Sequence, residues 1–447
     1  MKDQQYDFTI QNLGEPNLPS PLNVNYFTCE NKRILFDIYL SSQDELKASG
    51  GAPLSIEVAG PREKVFFNYA RTKAAIVTCG GLCPGINDVI RAIVMELFYR
   101  YGVKSIIGIR YGFKGLIARY GYDVLELTPS LVKDIHMQGG SLLASSRGRE
   151  DIDEIVDALH RMNVDIFFCI GGDGTMRAIE YVAEEITRRK LNIAVIGIPK
   201  TIDNDLNLIQ RSFGFDTAIS ESVKSLQCAH VEATGAPNGI GLVKIMGRQS
   251  GHIAAWAALA QSDVNFVLIP EVPFDLEGED GLLAALKRRI IDRGHCLILV
   301  AEGAGQELLS RTDGAGGVDP SGNPRLQDIG VFLKEKINRY FKGEGIEINL
   351  KYIDPSYTIR SVPANSNDSM YCSALGQYAV HAAMAGKTAM LVGLVRDEYV
   401  HLPLKTVGSG MRVDTEGDVW MRVLEGTGQP LSLKNIIAHN AEGRLCR

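Results

Sequence analysis

The sequence has no apolar run approaching the roughly 18–20 residues that a helical membrane span needs, so no membrane association is expected. Its opening, MKDQQYDFTIQNLGEPNLPSPL, lacks the apolar centre of a secretion signal. Positive charge is not in surplus either: 47 Lys and Arg face 53 Asp and Glu, a formal balance of −6. That gives no support to a nucleic-acid surface, and an anionic substrate would need a local basic pocket instead. The eight cysteines have no His or Cys partners at zinc-ligand spacing, and Cys79 and Cys83, the one close pair, read as structural. Several thiols lie inside apolar runs such as FFCI and HCLILV, which fits reduced, buried cysteines and a cytoplasmic protein. Short-period repeats and low-complexity tracts are also missing.

What remains is an ordinary globular composition, 45% hydrophobic with 46 glycines, over 447 residues. At roughly 100–200 residues per domain that length suggests two or more. After an irregular extension over 1–70, short apolar runs alternate with helical patterns. AAIVT (74–78), a helix from 86 to 101, SIIGI (105–109), a helix near 151–162, VDIFFCI (164–170), a helix over 175–190 and NIAVIGI (192–198) make a first lobe, 71–213. The alternation restarts over 214–386, with strands at 239–245, 265–269, 296–303 and 347–353 and helices at 216–234, 250–261, 280–293 and 369–386. TAMLVGLV (388–395) is expected to be the last strand, within a segment 387–447 that packs back on the lobes. Gly, Pro and Asp in SRTDGAGGVDPSGNPRL (310–326) predict a mobile surface loop. Strands apolar on both faces, alternating with helices, predict an α/β fold of two Rossmann-like three-layer lobes with mostly parallel sheets.

In such sheets ligands bind beyond the carboxyl ends of the strands. CGGLCPGIN (79–87) offers Gly81 and a helix start to an anion, although a glycine turn is often only a turn. GGDGT (171–175) leaves no side chains at Gly172 and Gly174 between backbone amides and a polyphosphate. There Asp173 can hold Mg²⁺ by its carboxylate or through water, while Thr175 can cap the helix. Arg147 and Gly148, in SSRGRE, read as a cation with backbone freedom near the phosphates, or as plain surface. IPKTIDNDL (198–206) then places Asp203 at the next strand end. A carboxylate facing a polyphosphate can orient an acceptor hydroxyl and take its proton. Asn204 and Asp205 could position it or brace the turn. In the second lobe IMGRQSG gives Arg248 for a phosphate, AEGAG gives Glu302 for sugar hydroxyls, and YIDPSYTIR gives Tyr357 and Arg360, three residues apart. Met246 could be packing or contact.

GGLCPGIN, GGDGT, PKTIDND, MGRQSG, AEGAGQ and DPSYTIRS, in that order over residues 70 to 400, resemble the 6-phosphofructokinases, most of all the long branch with plant and trypanosomatid ATP-dependent enzymes. The resemblance implies two unequal lobes with the active site between them, in homodimers or homotetramers, and transfer of phosphate to fructose 6-phosphate. It implies donor binding by Gly81, Arg147, Gly148 and Gly172–Thr175 with Mg²⁺ on Asp173, so the lobe 71–213 is the donor lobe. It implies sugar contacts at Thr201, Ile202 and Asp203, with Asp203 as base. Fructose 6-phosphate would be held by Met246, Gly247, Arg248, Glu302, Tyr357, Thr358, Ile359 and Arg360, with Thr201 and Arg248 also assisting catalysis. The short bacterial enzymes have histidine at Tyr357 and arginine at Lys351. Donor choice divides between Lys200, usual in pyrophosphate-dependent relatives, and Gly174, where those relatives carry aspartate; Gly174 is the stronger constraint and predicts ATP. A kinase of the NAD or lipid type would share only GGDGT. An inactive regulatory relative would have lost Asp203, Asp173 or the arginines, all of which are present.

Overall fold

The computed structural model describes residues 6–39, 53–309, 317, 325–408 and 410–435. These fall into two compact units. The first takes described residues within Met1–Ala218 and Thr358–Met411, the second those within Ile219–Gly317, Arg325–Tyr357 and Arg412–Arg447.

In the first unit, nine strands among the described residues form one sheet. Its centre is parallel: Met390–Val395, Ala194–Pro199, Ile166–Gly171, Lys73–Thr78 and Ser105–Ile109 lie side by side. These strands are apolar because both faces are covered. Ile166, Phe168 and Ile170 point into one core with Ile76, while Phe167 and Cys169 point into the other with Ala75 and Val77. Helices Ile86–Met95 and Ser366–Met384 cover the first core; Ile152–Arg161 and Asp173–Arg188 cover the second. Asp151 caps Ile152–Arg161 by accepting from the Asp153 and Glu154 amides, which fixes where that helix starts.

Three features depart from the sequence reading. Met390–Val395 is followed by a further strand, Glu398–Pro403, antiparallel to it. The two turn residues, Arg396 and Asp397, have φ of 52° and 62°, the left-handed geometry of a tight hairpin without its usual Asn-Gly. The extension is not wholly irregular: Arg33–Leu35 and Ser55–Val58 add two antiparallel strands to the sheet edge. The helix expected to run to Tyr101 is α-helical only to Met95 and continues as a π-helical turn, Glu96–Tyr101.

The second unit has a four-stranded parallel sheet among its described residues, ordered Phe266–Leu268, His295–Ala301, Gly239–Ile245, Asn349–Ile353. Leu282–Arg293 and Ile329–Gly343 bury Leu286, Ile290, Leu333, Ile337 and Phe341 against it. In the loop expected over 310–326, residues 310–316 and 318–324 lie outside the described residues. Among the described residues no helix is long and apolar enough to cross a membrane.

Candidate active site

Three neighbouring strands of the first unit, Lys73–Thr78, Ile166–Gly171 and Ala194–Pro199, end in the three loops singled out above. Two of those loops lead into helices that begin at glycine, Gly85 and Gly172, with no side-chain cap. Their first-turn amides therefore carry positive partial charge with no side-chain acceptor, which suits phosphate oxygens.

The glycine loop is held between two cations. Lys200 is buried and its Nζ donates to the Gly81 carbonyl at 2.8 Å. A Cβ at Gly81 would lie 3.1 Å from an Arg147 guanidinium nitrogen, so any larger residue would push the arginine back by a few tenths of an ångström. Burial lowers the Lys200 pKa, and the nearby Arg147 lowers it further, while Asp203 and two thiols oppose the shift. Gly80 completes the attachment: its amide donates to the Ser146 carbonyl at 3.0 Å, and Ser145 Oγ donates to its carbonyl at 2.7 Å. Cys79 and Cys83 are buried beside this loop, with the Cys83 thiol donating to the Phe213 carbonyl. Desolvation pushes the Cys79 pKa up to about 12, so both are packing groups and not nucleophiles.

In GGDGT, the Thr175 side chain is buried against Gly171 and does not cap the helix; the N-cap is Gly172. A Cβ on Gly174 would meet nothing within 4 Å. Asp173 forms an ion pair with Arg177 through Oδ2, while its Oδ1 is buried with no hydrogen-bond partner among the described residues. A buried carboxylate oxygen left in this state suits a divalent cation. No cluster of three or more His, Cys, Asp or Glu able to hold a metal occurs among the described residues. A cation bound by one carboxylate and substrate phosphates, as Mg²⁺ commonly is, fits what is present.

The polar run after Ala194–Pro199 has divided tasks. Thr201 Oγ1 donates to Asp205 at 2.7 Å and accepts from the Asp203 amide at 3.3 Å. Asn204, at φ 52°, accepts from the Ser212 amide at 2.8 Å. The Asp205 carbonyl accepts from the Met411 amide at 3.1 Å. Asn204 and Asp205 therefore brace the turn, and Ile202 packs on the apolar core. Asp203 is half-buried at the crest of this turn.

In the second unit, Gly239–Ile245 and His295–Ala301 end together. The Glu302 amide donates to the Ile245 carbonyl at 2.9 Å and the Gly303 amide to the Gly247 carbonyl at 3.0 Å. Met246–Arg248 and Glu302 are thereby adjacent loops; a Cβ at Gly303 would overlap the Arg248 carbonyl. Met246 is buried and Arg248 and Glu302 are half-buried. Gln306 donates to the carbonyls of Glu302 and Gln327, at 2.7 and 3.0 Å, fixing the loop from behind. Tyr357, 72% exposed, is the last residue of this unit's stretch Arg325–Tyr357; along the short helix Ser356–Ser361 it is followed by Thr358, the buried Ile359 and Arg360, which belong to the first unit. Ser145, Ser212, Gln306 and Lys244 were not singled out from the sequence. Only Lys244 left a signal there, as a charge inside the apolar strand GIGLVKI.

The phosphofructokinase family model matches residues 73–383. The ATP-dependent 6-phosphofructokinase of Borreliella burgdorferi is 48% identical, over 97% of this chain and 99% of its own. ATP-dependent 6-phosphofructokinase 7 of Arabidopsis thaliana is 44% identical over 93% of this chain and 86% of its own. The ATP-dependent 6-phosphofructokinase of Trypanosoma cruzi is 44% identical over 84% of this chain and 77% of its own. Among solved structures, the pyrophosphate-dependent phosphofructokinase of Marinobacter aquaeolei superposes with a TM-score of 0.65 at 18% identity, over 84% of this chain and 98% of that one. The T-state phosphofructokinase of Pichia pastoris gives 0.60 at 20%, over 83% and 41%. At those identities the likeness is one of fold alone.

Proposed function

The chain belongs to the phosphofructokinase family, and from that premise we propose that it transfers the γ-phosphoryl group of ATP to the C1 hydroxyl of fructose 6-phosphate, yielding fructose 1,6-bisphosphate. The observation that carries this reading is the donor surface of the first unit. Two uncapped helix starts and the bare loops at Gly80–Gly81 and Gly172–Gly174 stand beside Arg147 and the partnerless Oδ1 of Asp173.

Asp173 holds Mg²⁺, which neutralises charge on the polyphosphate when bound. Gly81, Gly148, Gly172 and Gly174 admit the nucleotide through backbone amides, Thr175 closes the helix start by donating its amide to the Gly172 carbonyl, and Arg147 neutralises the phosphates. Asp203 accepts the proton of the sugar hydroxyl, while Thr201 fixes the Asp203 backbone through the Asp203 amide. Arg248 and Arg360 bind the acceptor phosphate; Glu302 and Tyr357 bind the sugar, with Met246, Gly247, Thr358 and Ile359 shaping its surroundings and Ile202 anchoring the base loop. Lys200 donates one of its three ammonium hydrogens to the Gly81 carbonyl, which keeps its charge beside the glycine loop. The open space at Gly174 leaves room for the inner phosphates of ATP. That space favours ATP over pyrophosphate, while the lysine suits either donor. The protein is a cytoplasmic homo-oligomer in this reading, dimer or tetramer, which sedimentation velocity measures. The chemistry is tested by incubating the purified protein with MgATP and fructose 6-phosphate and following the product by ³¹P NMR. A new C1 phosphate resonance is expected, and its absence would overturn the proposal.

A further inference from the structure

Lys244 is a lysine in a strand whose other residues are buried and apolar, and its side chain is only 11% exposed. Its Nζ lies 2.8 Å from Asp354 Oδ2 and 3.1 Å from Asp328 Oδ2. Each of these carboxylates uses its second oxygen elsewhere. Asp328 Oδ1 caps Ile329–Gly343, accepting from the Gly330 and Val331 amides at 3.0 and 3.1 Å and from the Tyr352 hydroxyl at 3.2 Å. Asp354 Oδ1 accepts from the Ser356 amide at 3.1 Å, at the start of the helix that carries Tyr357. One ammonium thus ties two helix starts to the strand end that continues directly into Met246, Gly247 and Arg248.

We propose that Lys244 is the positioning residue of the acceptor loops, setting Tyr357 against Arg248 by holding Asp354 and Asp328 together at the end of Gly239–Ile245. This rests on the reading of Arg248 and Tyr357 as fructose 6-phosphate contacts. A half-buried ion pair is poor at supplying net stability, and well-packed apolar residues in place of all three charges would fold about as well. What the ammonium adds is register: it is a short, directional link between three chain segments that apolar packing would leave free to slide. Burial opposes its charge, yet Asp354 and Asp328 keep its pKa above the ordinary lysine value. Without it, two carboxylates would face each other across a gap a few ångströms wide and move apart.

The test compares Lys244→Met, Lys244→Arg and Asp354→Asn with the wild type. It measures KM for fructose 6-phosphate and for ATP, together with the calorimetric Kd for fructose 6-phosphate. Displacing a binding group by about an ångström costs tenfold or more, so Lys244→Met and Asp354→Asn should each raise KM and Kd for fructose 6-phosphate by about tenfold. KM for ATP should stay within about twofold, and Lys244→Arg, which retains the charge, should recover most of the loss. Unchanged fructose 6-phosphate binding in both charge-removing variants would overturn the proposal, as would equal rises in the constants of both substrates. If Lys244→Met does not fold, Asp354→Asn and Lys244→Arg carry the same comparison. A wild type that binds fructose 6-phosphate without phosphorylating it would sink the kinase reading, while its Kd would still decide the positioning claim.

Discussion

Replacing Gly174 by aspartate separates the two candidate determinants of donor choice. The position is the second residue of the helix Asp173–Arg188, and a Cβ there meets nothing within 4 Å, so the fold has room for the side chain. A carboxylate in the first turn of a helix is favoured by about 0.3–1 kcal/mol, and aspartate is a better helix former than glycine. The melting temperature should therefore hold or rise slightly. The new charge would stand beside Asp173 and Gly172, where we propose that the inner phosphates of ATP bind. At a separation of about 5 Å and an effective dielectric near 20, one charge on each side repels by about 3 kcal/mol. That corresponds to a loss of about two orders of magnitude in kcat/KM for ATP. Arg177 offers little relief because it is already paired with Asp173. The assay is steady-state kinetics with saturating fructose 6-phosphate, alongside a melting curve. A folded Gly174→Asp enzyme with wild-type kcat/KM for ATP would refute the reasoning.

Asp203→Asn keeps the shape of the proposed base and removes its basicity, so kcat should fall about 10²–10⁴-fold with little change in the Kd for fructose 6-phosphate; near-normal turnover would take Asp203 out of the mechanism. Arg248→Ala removes the proposed charge-assisted phosphate contact, worth about 1.5–3 kcal/mol, and should raise KM for fructose 6-phosphate tenfold or more, far beyond any change in KM for ATP; equal effects on both would place the arginine on the donor. Burial pushes the Glu96 pKa from 4.5 up to about 7, against the pull of Arg100. The folded chain thus keeps a proton that the unfolded chain releases, and this contribution is whole below pH 4.5 and declines as pH rises through 7, by about 3 kcal/mol in all. His381, 3.9 Å away, has its pKa pushed down to about 4 by burial and stays neutral over that window. Glu96→Gln should flatten the fall in denaturant midpoint between pH 4.5 and 8, and an unchanged slope would contradict this assignment.

Elements whose signal is local were legible in the sequence. GIGLVKI is a strand over the very residues read as one, because an apolar run between turn residues declares itself. Glu398–Pro403 was hidden because its hairpin turns on Arg396 and Asp397 with no glycine, and arginine seldom takes left-handed geometry. The strands at Arg33–Leu35 and Ser55–Val58 were hidden because an edge strand gains its pairing from a distant partner, here Glu398–Pro403 for Ser55–Val58. The loops of the site could be located from glycines and charges at strand ends, but the use made of each side chain could not. Lys200 and Gly81 are 119 residues apart, and nothing local tells that lysine to choose a carbonyl over a phosphate. In KTIDND the sequence could not divide the braces from the base; Asn204 shows its task only through Ser212.

Donor preference is where the account is most exposed, because the same chain carries Lys200 and Gly174. The direct measurement is kcat/KM of the purified wild-type protein for MgATP and for magnesium pyrophosphate, run side by side at saturating fructose 6-phosphate. With open space at Gly174, ATP should be strongly preferred, with little pyrophosphate activity. Faster phosphorylation of fructose 6-phosphate with pyrophosphate than with ATP would contradict it.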